Sequence, residues 1–184
     1  MAEYYLISQL PSLDGIGDNT EIPITEERLY ELCDRFMGKK AKIEIEKLTL
    51  LPPRVGEKSS SAVVEAWNDG ERNLRFALAK VRSEKMNKSF DGTAHRLSND
   101  HLKIASQAVA IDNPLEAERF LNNYRLTFLE ALRPMDTFSE EYVYYYALKL
   151  KLLLHIRKFD TDAGITRYKK IYDSVLSGDG EVTE

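Results

Sequence analysis

Residues 137–158, TFSEEYVYYYALKLKLLLHIRK, constrain this chain more than any other stretch. The segment is the longest strongly apolar run, and its ends carry helix signals. Thr137 with Glu140 three residues on reads as a capping box, each side chain satisfying a backbone N–H at the other's position. Glu140 and Glu141 fall in the first turn, and Lys149, Lys151, His155, Arg157 and Lys158 in the second half. Acid at the start and base at the end suit the helix dipole. Tyr142, Tyr146, Leu150, Leu153 and Ile156 recur at three and four, and Val143, Ala147 and Leu154 widen the stripe beyond half the circumference. Such a helix, ~30 Å long at ~1.5 Å per residue, must be covered by several partners. The expected class is therefore all-α, an irregular bundle of about six to eight helices built around this one.

The chain has 184 residues, 43% apolar and 30% charged, an ordinary composition for a globular protein with a substantial core. A formal charge of −4 argues against non-specific nucleic-acid binding, which draws on net positive charge. One cysteine, Cys33, excludes an internal disulfide and suits a reducing cytoplasm. Its place on the apolar side of a predicted helix favours packing over reactivity. MAEYYLISQL lacks the basic start of a signal peptide. No run approaches the ~18 apolar residues of a membrane span, so no direct membrane insertion is expected.

Along the chain, Tyr4 to Leu10 is short and apolar and ends at Pro11. Periodicity does not separate helix from strand there, and we read a short helix. Residues 12–23 carry turn chemistry. Thr25 reads as an N-cap, followed by Leu29, Leu32, Cys33 and Phe36, with Gly38 as a terminating C′ glycine. Residues 39–51 fit two patterns: Ala41, Ile43 and Ile45 alternate as in a strand, whereas Ile45, Leu48 and Leu51 suit a helix. Helix is the reading adopted, because a lone strand has no evident mate. The domain reading is an N-terminal helical segment at 1–51, a linker at 52–60, a main bundle at 61–177 and a flexible tail at 178–184, forming one compact unit. Within the bundle a second long helix spans about Ser61–Asn87. Val63, Trp67, Leu74, Leu78, Val81 and Lys85 track one side, flanked by Val64, Ala77 and Met86. Gly70 inside it marks a bend or a close contact. Residues 89–97 break the pattern, and Ser98 caps a helix through Ile111 with Leu102, Ala105, Ala108 and Val109 inward. Asn113-Pro114-Leu115-Glu116 is a firm helix start. Leu115, Phe120, Leu121, Tyr124, Phe128, Leu129 and Leu132 form its buried face, and Pro134 ends it. That helix and the one at Phe138–Lys158 should form an antiparallel pair. After a turn at 160–164, a last helix carries Ile165, Tyr168, Ile171, Tyr172 and Val175.

The inventory of chemistry is nearly empty. His95, His101 and His155 show no metal-ligand spacing. Residues 160–164, DTDAG, lack the later glutamate of a calcium loop. Gly38-Lys39-Lys40 and Gly15-Ile16-Gly17 lack the partners of a phosphate cradle, and Cys33 has no histidine arguing for a thiolate nucleophile. Arg72, Arg75, Lys80, Arg82 and Lys85 are interleaved with Glu65, Asp69, Glu71 and Glu84, which favours a solvated, salt-bridged face over a nucleic-acid surface. Tyr142, Tyr144, Tyr145 and Tyr146 fit a core with a rim more readily than a docking patch. Expected catalytic, cofactor-binding and metal-ligating residues are none. An enzyme assembled from the scattered carboxylates Glu116, Glu118 and Asp136 is a minor alternative.

Several stretches, taken in order, resemble a bacterial family associated with V-type (archaeal/vacuolar-like) rotary ATPases. They are Tyr4-Tyr5-Leu6-Ile7-Ser8-Gln9-Leu10-Pro11-Ser12-Leu13, Trp67-x3-Glu71-Arg72-Asn73-Leu74-Arg75-x-Ala77-Leu78-x3-Arg82, and residues 113–121 with Tyr124-Arg125 and Phe128-Leu129. Tyr146-Ala147-Leu148-Lys149-Leu150 and the later Phe159-Asp160 and Gly164 also fit. The family is similar to a shortened form of the V-type ATPase C subunit (d in eukaryotes), the all-helical funnel that seats the central stalk on the membrane rotor ring. The chain has about half the length of a typical member of that funnel family. The resemblance implies a non-enzymatic, cytoplasmic subunit or accessory, peripheral at the inner membrane face through the ATPase. Its partners would be stalk or rotor subunits, with no nucleic acid and no small-molecule substrate. The alternative is a cytosolic helical adaptor or regulator unrelated to the ATPase.

Overall fold

A computed structural model describes residues 2–17, 20–54, 56–90, 97–158 and 161–176. All regular structure among them is helical: α1 (Ala2–Ser8), α2 (Glu26–Phe36), α3 (Lys39–Lys47), α4 (Ala62–Lys85), α5 (Asn99–Ala110), α6 (Pro114–Ala131), α7 (Glu140–Arg157) and α8 (Thr161–Leu176). The expected 178–184 tail lies outside the described residues, as does most of the break at 89–97.

Local chemistry sets most boundaries. Thr25, Ser61, Ser98 and Asn113 each cap a helix by accepting a backbone N–H, and Pro114 occupies the first turn of α6. Two terminal readings are corrected. The N-cap of α7 is Ser139, which accepts from Tyr142 N, and not Thr137. Asp136 explains the delay: its carboxylate takes the N–H of Phe138, and its carbonyl takes the Ser139 hydroxyl, so a turn intervenes. Gly38 does not terminate α2 in the left-handed conformation. Its φ is −68°, and it opens α3 at once. Residues 39–47 are helical, which resolves the ambiguous stretch, although Leu48 to Leu51 lie beyond the helix.

α7 is the axis. Every residue from Val143 to Leu150 is buried, with Leu152 and Leu153 following. This is more than a wide stripe, because Tyr144, Tyr145, Leu148 and Lys149 are covered as well. The tyrosine cluster is thus core, not a docking patch. Its hydroxyls find partners: Tyr144 donates to Glu140 at 2.6 Å, Tyr145 to Glu130 at 2.8 Å and Tyr146 to the Pro11 carbonyl at 2.8 Å. Around α7 one core cluster gathers Leu6, Leu13, Leu29, Ile45 and Trp67, so it spans both sides of the 52–60 segment. That segment is itself held: Glu44 accepts from the hydroxyls of Ser59 and Ser60. A second cluster joins Leu74, Ala77 and Leu78 of α4 to Ala105 and Ala108 of α5 and Leu121 of α6. Lys85 and Met86, expected inward, are exposed at the end of α4.

Pairings along the helices give their directions. Glu130 meets Tyr145 and Lys149, and Glu118 faces His155 at 3.9 Å, so α6 and α7 run antiparallel as expected. Glu141 of α7 reaches across to the N-terminus of α4, accepting from Ser61 Oγ at 2.8 Å and Val63 N at 3.0 Å. A carboxylate there complements the helix dipole.

Gly70 marks a close contact, not a cap. A Cβ at this position would overlap the ring of Phe128, which itself packs against Trp67. Gly70→Ala should therefore destabilise the fold by about 1 kcal/mol in urea unfolding, the overpacking penalty exceeding the propensity gain. In a Phe128→Leu background the same change should be neutral or stabilising; equal costs in both backgrounds would refute the contact.

Candidate functional site

α4 places Trp67, Glu71, Leu74 and Leu78 on one face by steps of four, three and four. α6 places Leu121, Arg125 and Phe128 on one face likewise. Where these faces meet, Glu71 is 3% exposed and Arg125 12% exposed at its side chain. Arg125 Nε donates to Glu71 Oε2 at 3.0 Å and Nη2 to Oε1 at 3.2 Å, a two-pronged pair. Arg75 Nε adds a bond to Glu71 at 2.7 Å. The remaining side of Arg125 is held by Glu118 at 3.0 Å and Asn122 at 2.8 Å through Nη1. The expectation of a solvated, salt-bridged α4 face is corrected at Glu71, which is salt-bridged but buried, an interior anchor for two guanidinium groups.

Beside this network, α4, α6, α7 and the Leu50–Leu51 turn enclose a cavity of about 650 Å³. Leucines dominate its apolar wall, and Arg75, Arg82, Arg125, Glu118 and His155 stand on its polar side. Trp67 also lines it, and the indole N–H of Trp67 is buried without a hydrogen-bond partner.

A second charged centre sits on α7. Lys149, 7% exposed at its side chain, bridges Asp14 at 2.5 Å and Glu130 at 2.6 Å. Burial works against its charge, but the hydrogen bonds to the two carboxylates outweigh it, so the ammonium titrates above the usual lysine value. The hydrogen bond from Lys149 likewise holds Asp14 below the usual carboxylate value, with burial opposing.

The sequence-level candidates for chemistry do not come together. His95 lies outside the described residues. His101 sits on α5 edge-on to Tyr124, and His155 lines the cavity. Glu116 lies in the first turn of α6 and Asp136 in the turn before α7, while Glu118 is bound to Arg125. No group of three or more His, Cys, Asp or Glu suited to a metal occurs among the described residues. Cys33 is buried, and burial pushes its thiol up to about 12, leaving it inert as a nucleophile. The 160–164 run, expected as a turn, is helical from Thr161, and Asp160 falls outside the described residues. No helix among the described residues is long and apolar enough to cross a membrane.

Both charged anchors left a sequence trace. Glu71, Arg125 and Lys149 each interrupt an apolar stripe at helical spacing, where a charge survives burial only if paired.

The last helix departs from the rest. Ile165, Tyr168, Ile171 and Tyr172, the apolar positions of this helix, are 51–68% exposed, and Tyr168 stacks on Tyr172 within the helix. Compared with protein-family models, curated proteins and solved structures, the chain gave no match. The class its architecture defines is an all-α protein with buried ion pairs and one outward-facing amphipathic helix.

Two outcomes follow from the charged centres. Glu71→Ala removes the two-pronged carboxylate partner of the buried Arg125 and should cost about 3 kcal/mol, while Glu71→Leu with Arg125→Met should recover most of it in urea unfolding. Asp14 contributes stability that is complete above its unfolded-state value of ~3.9 and is lost as pH falls through its lower folded value. Acid titration of the unfolding midpoint should show this loss, and Asp14→Asn should flatten it.

Proposed function

We propose that this chain is a non-enzymatic subunit or accessory of a V-type rotary ATPase, similar to its funnel-shaped C (d) component, joining central-stalk and membrane-rotor proteins. The observation that carries a docking role is α8. Its residues Ile165, Tyr168 and Tyr172 stand at i, i+3 and i+7, the anchor spacing of a helix that lies in a partner's groove. Exposed Lys169 and Lys170 flank that stripe, which suits a groove with an acidic rim. The identity of the partner rests on the sequence resemblance. Two stretches that carry it, around Trp67–Arg82 and Asn113–Leu129, meet across the Glu71–Arg125 pair. A stiff body of ion-paired, interlocked helices with a projecting docking helix is what a mechanical linker needs, and it needs no reacting group. Through such contacts the chain would sit peripherally at the inner membrane face.

The test is affinity purification of the full chain from its own host, with V-type ATPase stalk and rotor subunits identified directly. Those subunits should co-purify. Tyr168→Glu with Ile171→Glu should reduce their recovery at least tenfold while the unfolding midpoint stays unchanged, since both side chains are exposed. Absence of every ATPase subunit would reject this reading. A reproducible stoichiometric complex with one protein outside the ATPase would favour the cytosolic adaptor instead.

A further inference from the structure

The cavity between α4, α6 and α7 has the attributes of a ligand site that the docking role does not use. At about 650 Å³ it lies within the range of small-molecule pockets. Leu50, Leu51, Leu78, Leu121 and Leu152 give it an apolar wall able to cover a hydrocarbon chain or ring. Its charges do not cancel. Arg75, Arg82 and Arg125 face Glu71 and Glu118, leaving one positive charge in excess before His155 is counted.

The excess can be traced to particular atoms. Arg125 is committed to Glu71, Glu118 and Asn122. Arg75 spends its Nε on Glu71, and its two terminal nitrogens make no bond to a described residue. Arg82 has no carboxylate partner among the described residues. Arg75 and Arg82 stand two turns apart on α4, about 10 Å along the axis, so their long side chains can converge on one anion over Leu78. The ring of Trp67, 1% exposed, packs behind the same lining.

We infer that this cavity binds an amphiphilic monoanion, a carboxylate carrying an apolar chain or ring, with the head on Arg75 and Arg82 and the body against the leucine wall. Glu71 and Glu118 disfavour a second negative charge on the ligand, and the arginines exclude an ammonium amphiphile. The inference is independent of the ATPase assignment and would stand without it.

Trp67 is the only tryptophan in the chain, so its emission reports on the cavity directly. Decanoate, kept below its micellar concentration, is the probe. It should shift Trp67 emission saturably, with one-to-one stoichiometry by calorimetry. Decyltrimethylammonium of the same chain length should bind at least tenfold more weakly. Arg82→Gln should weaken decanoate at least tenfold at an unchanged unfolding midpoint, because its side chain is exposed and, unlike Arg75, takes no part in holding Glu71. Ala79→Trp, which fills the mouth of the cavity from an exposed position, should abolish binding as read by calorimetry. The α8 variant Tyr168→Glu with Ile171→Glu should bind as the parent does. Equal affinity for the two amphiphiles, no binding of decanoate, or full binding by either cavity variant would overturn the inference. So would loss of binding in the α8 variant.

Discussion

A helix covered on every side has no face on which to leave a charge, and α7 carries Lys149 in the middle of its covered span. An ammonium there is tolerable only when matched, because desolvation of an unpaired ion costs several kcal/mol. The match comes from two distant places, Asp14 in the loop after α1 and Glu130 near the end of α6. Tyr146 binds the carbonyl of Pro11 in that same loop. The requirement of one lysine therefore fixes the N-terminal loop against the bundle and sets the level at which α6 lies on α7. Apolar burial drives the assembly, but it is non-directional. The ion pairs and tyrosine hydroxyls supply the register.

The same logic recurs at Glu71. It lies among large apolar residues of α4 and is held by Arg125 from the facing helix and by Arg75 from the next turn. Buried, hydrogen-bonded charge is poor evidence of net stabilisation, since apolar replacements can equal it. Its clearer consequence is geometric. A two-pronged carboxylate–guanidinium pair holds α4 and α6 at one offset, and Gly70 lets Phe128 approach the backbone of α4 just beside it. Together they hold open the cavity next to Trp67.

These two anchors divide the molecule into a body and an appendage. The body pairs its buried charges Glu71 and Lys149 and buries Tyr144, Tyr145 and Tyr146. α8 presents two isoleucines and two tyrosines outward. An amphipathic helix whose apolar stripe lies outward is an element that asks for a partner, and this is why the proposed function rests on it.

Much of the architecture was legible in the residues. Thr25, Ser61, Ser98 and Asn113-Pro114 mark helix starts because capping is a local event, decided within four residues. The central helix and the α6–α7 pair follow from apolar periodicity and a short connection. What was not legible depended on neighbours. Asp136 moved the α7 start from Thr137 to Ser139 by engaging a nearby N–H first. Gly38 opened a helix instead of closing one, since α3 began immediately. The alternation at 41–45 could not decide between strand and helix, because the choice depended on what lay opposite. Glu71 read as one of many charges on a solvated, salt-bridged α4 face, although its burial was settled by the presence of a facing surface. The sequence alone determined the all-α class, most helix starts and the need to cover more than half the circumference of the central helix. Only the tertiary structure decided which charges meet, where a cavity remains and which apolar stripe is left in solvent, because pairing and exposure are properties of two surfaces and a sequence describes one.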